Sequence, residues 1–195
     1  PAGTESAAGG SLAQEQSFEF ATPPPKVVTL SPQGDQILRD QIFLVEFDQR
    51  IDPSDVLETI HVKASGDNVD VRLATADEIA ADETAAAMTL RAEDGRWLAF
   101  RSDNELPSDA AITITVGPGT PSAEGPATTT ETQTFAGRTY AALKVVRSSC
   151  AYDNQCPPGS QLYIEFNNVL DISNNGNASD ADAVKVTPDL AGLSV

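Results

Sequence analysis

The stretch FLVEFDQRID at residues 43–52 is answered by LYIEFNNVLD at residues 162–171, with Glu46, Phe47 and the closing Asp52 matched by Glu165, Phe166 and Asp171. In the first copy Phe43, Val45 and Phe47 recur at every second position, which is the period of a strand with one buried face. Working outward, Val27-Val28 is answered by Val145-Val146, and PAGTESAAGG at 1–10 by GPGTPSAEGP at 117–126, sharing Gly3 with Gly119, Thr4 with Thr120 and Ser6 with Ser122. These offsets all lie between 116 and 119, so the repeating unit is the size of a domain and not of a short solenoid repeat.

The order of the matched pieces sets the expected domain boundaries. A Gly-rich turn followed by an FxF or TF segment ends one unit, and Val-Val begins the next. Residues 1–25 are then the end of a preceding domain with its linker, 26–137 a complete domain, and 138–195 the truncated start of a third. Pro23-Pro24-Pro25 marks the first junction, because three prolines favour a stiff extended link and cannot donate to a sheet ladder.

Inside the complete unit the pattern is mostly that of strands: TIHVK with Ile60 and Val62, RWLAF at 96–100 with the sole tryptophan, and AITITV with Ile112, Ile114 and Val116. Short strands separated by turn signals predict an all-β protein of tandem Ig-like β-sandwich domains. TADEIAADETAAAM is the exception: Thr75 and Glu78 have capping-box spacing and the alanines favour helix, so one short inserted helix is expected across an end or face of the sandwich.

Composition removes several function classes. Twelve Lys and Arg against 29 Asp and Glu leave a net charge of −17, which disfavours nucleic acid and anionic membrane surfaces as partners. No apolar run approaches the length of a membrane helix. The single histidine, His61, falls on the alternate face of TIHVK and is read as a surface strand residue, so neither a Ser-His-Asp nor a Cys-His site is expected and the chain is read as not an enzyme. The acidic pairs Asp77-Glu78, Asp82-Glu83 and Glu93-Asp94 are read as solvated charge.

Cys150 and Cys156 are the only cysteines, separated by five residues with no histidine nearby. That spacing is neither a redox CxxC nor half of a zinc site, and a small structural disulfide closing a loop is favoured over two buried thiols. It points to an oxidising compartment. Just beyond, DISNNGNASDAD sets Asp171, Ser173, Asn175, Asn177 and Asp182 at the ligand positions of a calcium loop, with Gly176 at the sixth. The match departs from the motif at position three, which lacks a carboxylate, and at position twelve, which is Asp and not Glu. An ordinary surface loop explains the same letters, and no cofactor is otherwise expected.

The segment KVVRSSCAYDNQCPPGSQLYIEFNNVLD, followed by VKVTPDLAGLSV, resembles the amino-terminal region of bacterial alpha-2-macroglobulin family proteins. Cys150, Tyr152, Asp153, Cys156, Pro157, Gly159, Ile164, Glu165, Phe166, Asn167, Leu170 and Asp171 carry the likeness, and VVTLSP, EFDQRIDP and the TVGPGTxSxxG hairpin resemble the Ig-like modules of the same type. The resemblance implies a cell-envelope endopeptidase inhibitor, a protease trap in which bait cleavage drives a conformational change. The covalent step in that family uses a Cys-Gly-Glu-Gln thioester motif, which is absent here since Ala151 follows Cys150 and Pro157 follows Cys156. It therefore implies a scaffold segment in the periplasm or on the outer surface of a bacterium. Its partners would be neighbouring domains of the same chain and, through the full-length parent, proteases. A tandem Ig-like stalk of a bacterial adhesin or other surface protein is the alternative.

Overall fold

The computed structural model describes residues 1–150, 157 and 160–170, and the chain divides into two compact units, Pro1–Thr139 and Tyr140–Val195. The first unit carries nine strands and three short helices in the order β1 Val27–Ser31, β2 Gly34–Ile37, β3 Phe43–Phe47, α1 Pro53–Leu57, β4 Ile60–Ala64, β5 Asp67–Val69, β6 Val71–Leu73, α2 Ala76–Ala81, α3 Glu83–Thr89, β7 Trp97–Ser102, β8 Ala111–Val116 and β9 Gln133–Thr139. They form a four-stranded sheet ordered β1-β3-β7-β6 and a five-stranded sheet ordered β2-β9-β8-β4-β5. Every pairing is antiparallel except β2 with β9.

Alternation along the strands explains why the two sheets share one apolar layer. Val27, Leu30, Phe43, Val45, Phe47, Leu98 and Phe100 from the first sheet meet Ile60, Val62, Ile112, Ile114 and Val116 from the second in a single cluster. At its centre the rings of Phe43 and Phe100 stack with centroids 5.4 Å apart. The odd-numbered residues of β4 point the other way, and His61 and Lys63 are exposed.

Strands β3 and β7 are buried on both faces, which is why FLVEF contains an almost unbroken apolar run. Their outer face is covered by the insert: Ile42, Leu44 and Ala99 pack with Ala85, Ile79, Met88 and the half-buried Trp97 in a second cluster. The single helix expected over this insert is instead two, α2 and α3. Asp82 ends the first in extended backbone, φ −99° and ψ 106°, and its carboxylate then accepts the Thr84 and Ala85 amides as the N-cap of the second. A side chain that competes for free amides breaks an otherwise good helical run. The third helix, α1, lies outside the insert and was not expected; it has Asp52 as N-cap and Pro53 at its start.

The second unit opens with an antiparallel pair, β10 Val145–Cys150 with β11 Leu162–Phe166.

Candidate functional site

The repeat seen in the sequence is also a repeat of hydrogen bonds, and it gathers at the strand pairs β1–β3 and β10–β11. In the first unit Val27 pairs with Phe47, Thr29 with Glu46, Leu30 with Val45 and Ser31 with Leu44, with a break in register at Val28. In the second, Val145 pairs with Phe166, Arg147 with Glu165, Ser148 with Ile164 and Ser149 with Tyr163, with the break at Val146.

Just before β1 and before β10 the chain is bonded to the turn that follows the EF pair. The Asp48 Oδ1 accepts from the Lys26 amide at 2.8 Å, and the Asp48 amide donates to the Lys26 carbonyl at 3.1 Å. In the second unit Asn167 Oδ1 accepts from the Lys144 amide at 2.7 Å, and the Asn167 amide donates to the Lys144 carbonyl at 3.1 Å. The next side chain reaches further back. Gln49 Nε2 donates to the carbonyls of Pro23 and Pro24 at 2.9 and 3.2 Å, and Asn168 Nδ2 donates to that of Ala141 at 2.7 Å.

A loop from the far end of the first unit completes this site. Gly119 donates its amide to the Thr129 carbonyl and Thr129 to that of Thr120, with Gly119 at φ +91°, a conformation that favours glycine. The same loop places Ser122 Oγ 2.7 Å from Gln49 Oε1, the Ala123 amide on the Arg50 carbonyl and Glu124 on the Arg50 amide. Gly125 lies against Thr22 so closely that an added Cβ would stand 2.7 Å from the Thr22 Cβ. Residues 3–12 repeat this loop in outline: Gly3, at φ +83°, donates to Leu12 and Leu12 to Thr4.

Val27 and Thr139, the first and last strand residues of the first unit, lie at opposite ends of β9. The Gln133 side chain, at its start, bonds both the amide and the carbonyl of Val27. Thr139, at its end, is buried and bonds Ala110 and the Pro107 carbonyl. Seven residues of strand separate the two by roughly 20 Å.

Elsewhere the strongest electrostatics hold the insert in place. Arg72 and Arg101 face each other across β6 and β7, an unfavourable pairing of like charges. Glu78 bridges them, bidentate to Arg72 at 2.8 and 2.6 Å and 3.2 Å from Arg101. It also closes a capping box with Thr75. Hydrogen bonding from Arg72 first, and then from the Thr75 amide, holds the Glu78 carboxyl well below the ordinary carboxylate range, and raises the Arg72 guanidinium in turn.

His61 lines a groove of about 830 Å³ with Lys63, Leu57, Glu58, Val69 and Asp70. The Thr115 hydroxyl, opposite it on β8, donates to the His61 backbone carbonyl at 3.3 Å. Cys150 ends β10, is buried and is disulfide-bonded. Cys156 and the calcium-loop candidates Asp171, Ser173, Asn175, Asn177 and Asp182 lie outside the described residues. No cluster of three metal-ligating side chains occurs among the described residues. No helix among the described residues is long and apolar enough to cross a membrane.

Sequence reasoning missed Gln49 and Asn168, because a polar residue after a strand reads as a solvated turn. Their matching place in the two copies was the available signal.

No family model matches the chain. The circularly permutated Ras protein 2 of Dictyostelium discoideum is 24% identical over 131 residues, which is 63% of this chain and 3% of that protein. The chain thus spans a small fraction of that curated relative's length. Among solved structures, an LD-transpeptidase in complex with imipenem aligns at a TM-score of 0.38 and 12% identity, over 70% of this chain and 58% of that one.

Proposed function

We propose that this chain is a scaffold segment of a bacterial cell-envelope protease inhibitor of the alpha-2-macroglobulin type, built from tandem Ig-like β-sandwich modules. Residues 1–25 are the end of one module, 26–137 a whole one and 138–195 the start of the next. One observation carries the modular reading: the β1–β3 pairing, its irregularity at the second residue and its linker bonds all recur in β10–β11. The residues from Cys150 to Asp171 carry the choice of family, and the disulfide at Cys150 supports a periplasmic or outer-surface location.

In this reading the bait and any reactive centre lie in other parts of the parent protein. The segment spaces neighbouring domains and passes on, or resists, the movement that follows cleavage. A module that receives and releases its chain some 20 Å apart suits a string, and it also suits the stalk of a surface adhesin. The test uses the full-length parent incubated with proteases of different specificity, each then assayed on a small peptide and on a bulky protein. Loss of only the bulky-substrate activity supports trapping. Equal retention of both activities, despite nicking of the parent, removes the trap and leaves the stalk.

A further inference from the structure

We infer that each linker in this string is held by the module that follows it, through a two-residue clamp: Asp48-Gln49 in the first module and Asn167-Asn168 in the second. Prolines 23 to 25 have no amide hydrogens, but their carbonyls remain acceptors that an extended run cannot satisfy internally. Gln49 answers two of them, and its own Oε1 receives the Ser122 hydroxyl, so a side chain only 6% exposed has its donor and acceptor both engaged. Burial of an amide with this many partners is a built arrangement, since each partner lost would leave a desolvated polar group.

The second clamp separates the device from the proline sequence. Its linker reads Tyr-Ala-Ala-Leu, yet Asn168 takes the Ala141 carbonyl and Asn167 Nδ2 takes that of Ala142 at 3.0 Å. Asp48 and Asn167 share the acceptor oxygen that caps the lysine amide, which is the atom common to both sites. The residues that change between the copies keep the bonds, and the residues of the linker itself do not decide them. A linker fixed in this way moves with its module, so a displacement of the module is passed to the chain without first taking up slack.

The test is amide exchange on the full chain, comparing wild type with Gln49→Ala and Asn168→Ala. Neither substitution removes the acceptor of the Lys26 or Lys144 amide, so exchange at those two amides reports how firmly the linker is seated. The expected result is at least tenfold faster exchange at Lys26 in the first variant and at Lys144 in the second, with the amides of Val45 and Ile114 unchanged. Wild-type rates at both positions in both variants overturn the inference, as does loosening at one linker only. Should Gln49→Ala unfold its module, chymotryptic cleavage after the exposed Leu143 decides the matter in Asn168→Ala: faster cleavage upholds the clamp and an unchanged rate overturns it. No protease inhibition is read in these measurements, so their failure is distinct from failure of the trap, and the clamp serves trap and stalk alike.

Discussion

Replacing Phe100 with alanine tests the shared core of the two sheets most directly. The side chain is fully buried and its ring stacks on Phe43 at 5.4 Å. Removing it forfeits a transfer term of about 1.5–3 kcal/mol and an aromatic pair worth about 0.5–1.5 kcal/mol. A cavity term then adds to these, and the total falls within the roughly 3–5 kcal/mol usual for buried Phe→Ala changes. Against a domain stability of about 5–15 kcal/mol this is a large fraction. With a urea slope of about 1–3 kcal/mol per molar, a loss near 4 kcal/mol lowers the midpoint by roughly 1.3–4 M.

Trp97 supplies the assay, because it is the only tryptophan, lies in the same strand and packs in the separate cluster on the other face of the sheet. Excited at wavelengths that tyrosine does not absorb, its fluorescence follows this unit without a signal from Tyr140, Tyr152 or Tyr163. The Phe43→Ala, Phe100→Ala double mutant should lose less than the sum of the single changes, since the stacked pair is counted in each. Leu90→Ala, at a side chain 88% exposed, serves as the control and should stay within about 0.5 kcal/mol of wild type. A loss below about 1.5 kcal/mol for Phe100→Ala would refute the reasoning, for it would mean that the sheets do not rely on a common layer.

Two more local predictions follow from the insert. Glu78→Gln should loosen α2 and lower stability at neutral pH, because Arg72 and Arg101 would face each other with only Asp103, 3.8 Å from Arg72, left to offset them. The Glu78 carboxyl is depressed in the folded state, so its contribution is present above the free glutamate pKa of about 4.3 and fades as pH falls below that value. Urea midpoints at pH 7 and pH 3 should therefore lie closer together in the variant than in wild type, and an equal gap would remove the argument. Asp82→Ala takes the N-cap from α3 and should cost about 1 kcal/mol by Trp97 fluorescence, while Asp82→Asn should cost much less. Equal losses in the two variants would show that capping is not what Asp82 contributes.

Short strands and helix caps divide what could be read in advance from what could not. The strands at Ile60 and Ala111 were legible because one buried face imposes a period of two on adjacent residues, whereas those at Phe43 and Trp97, buried on both faces, showed as short apolar runs whose second covered face the period of two does not announce. The parallel strand Gly34–Ile37 was not, since its sequence GDQI has no alternation, Gln36 takes a positive φ, and its partner β9 lies about a hundred residues away. The helix α1 had a signal in Asp52-Pro53, an N-cap followed by a proline that needs no amide partner. The division of the Ala-rich insert turned on Asp82, whose preference for capping outweighed the helical preference of its neighbours.

By itself the sequence determined that this is a β-rich chain in which residues 43–52 are answered at 162–171, because both properties are written in neighbouring residues or in matched segments. Its acidity likewise follows from counting. Only the tertiary structure decided that Gln49 is buried against a proline run 25 residues back and a loop 73 residues ahead, or that Glu78 stands between two arginines of different strands. Such roles depend on which distant groups share a small desolvated space. A polar side chain carries the same letter whether water or a buried carbonyl is its partner, and only the fold brings that partner within bonding distance.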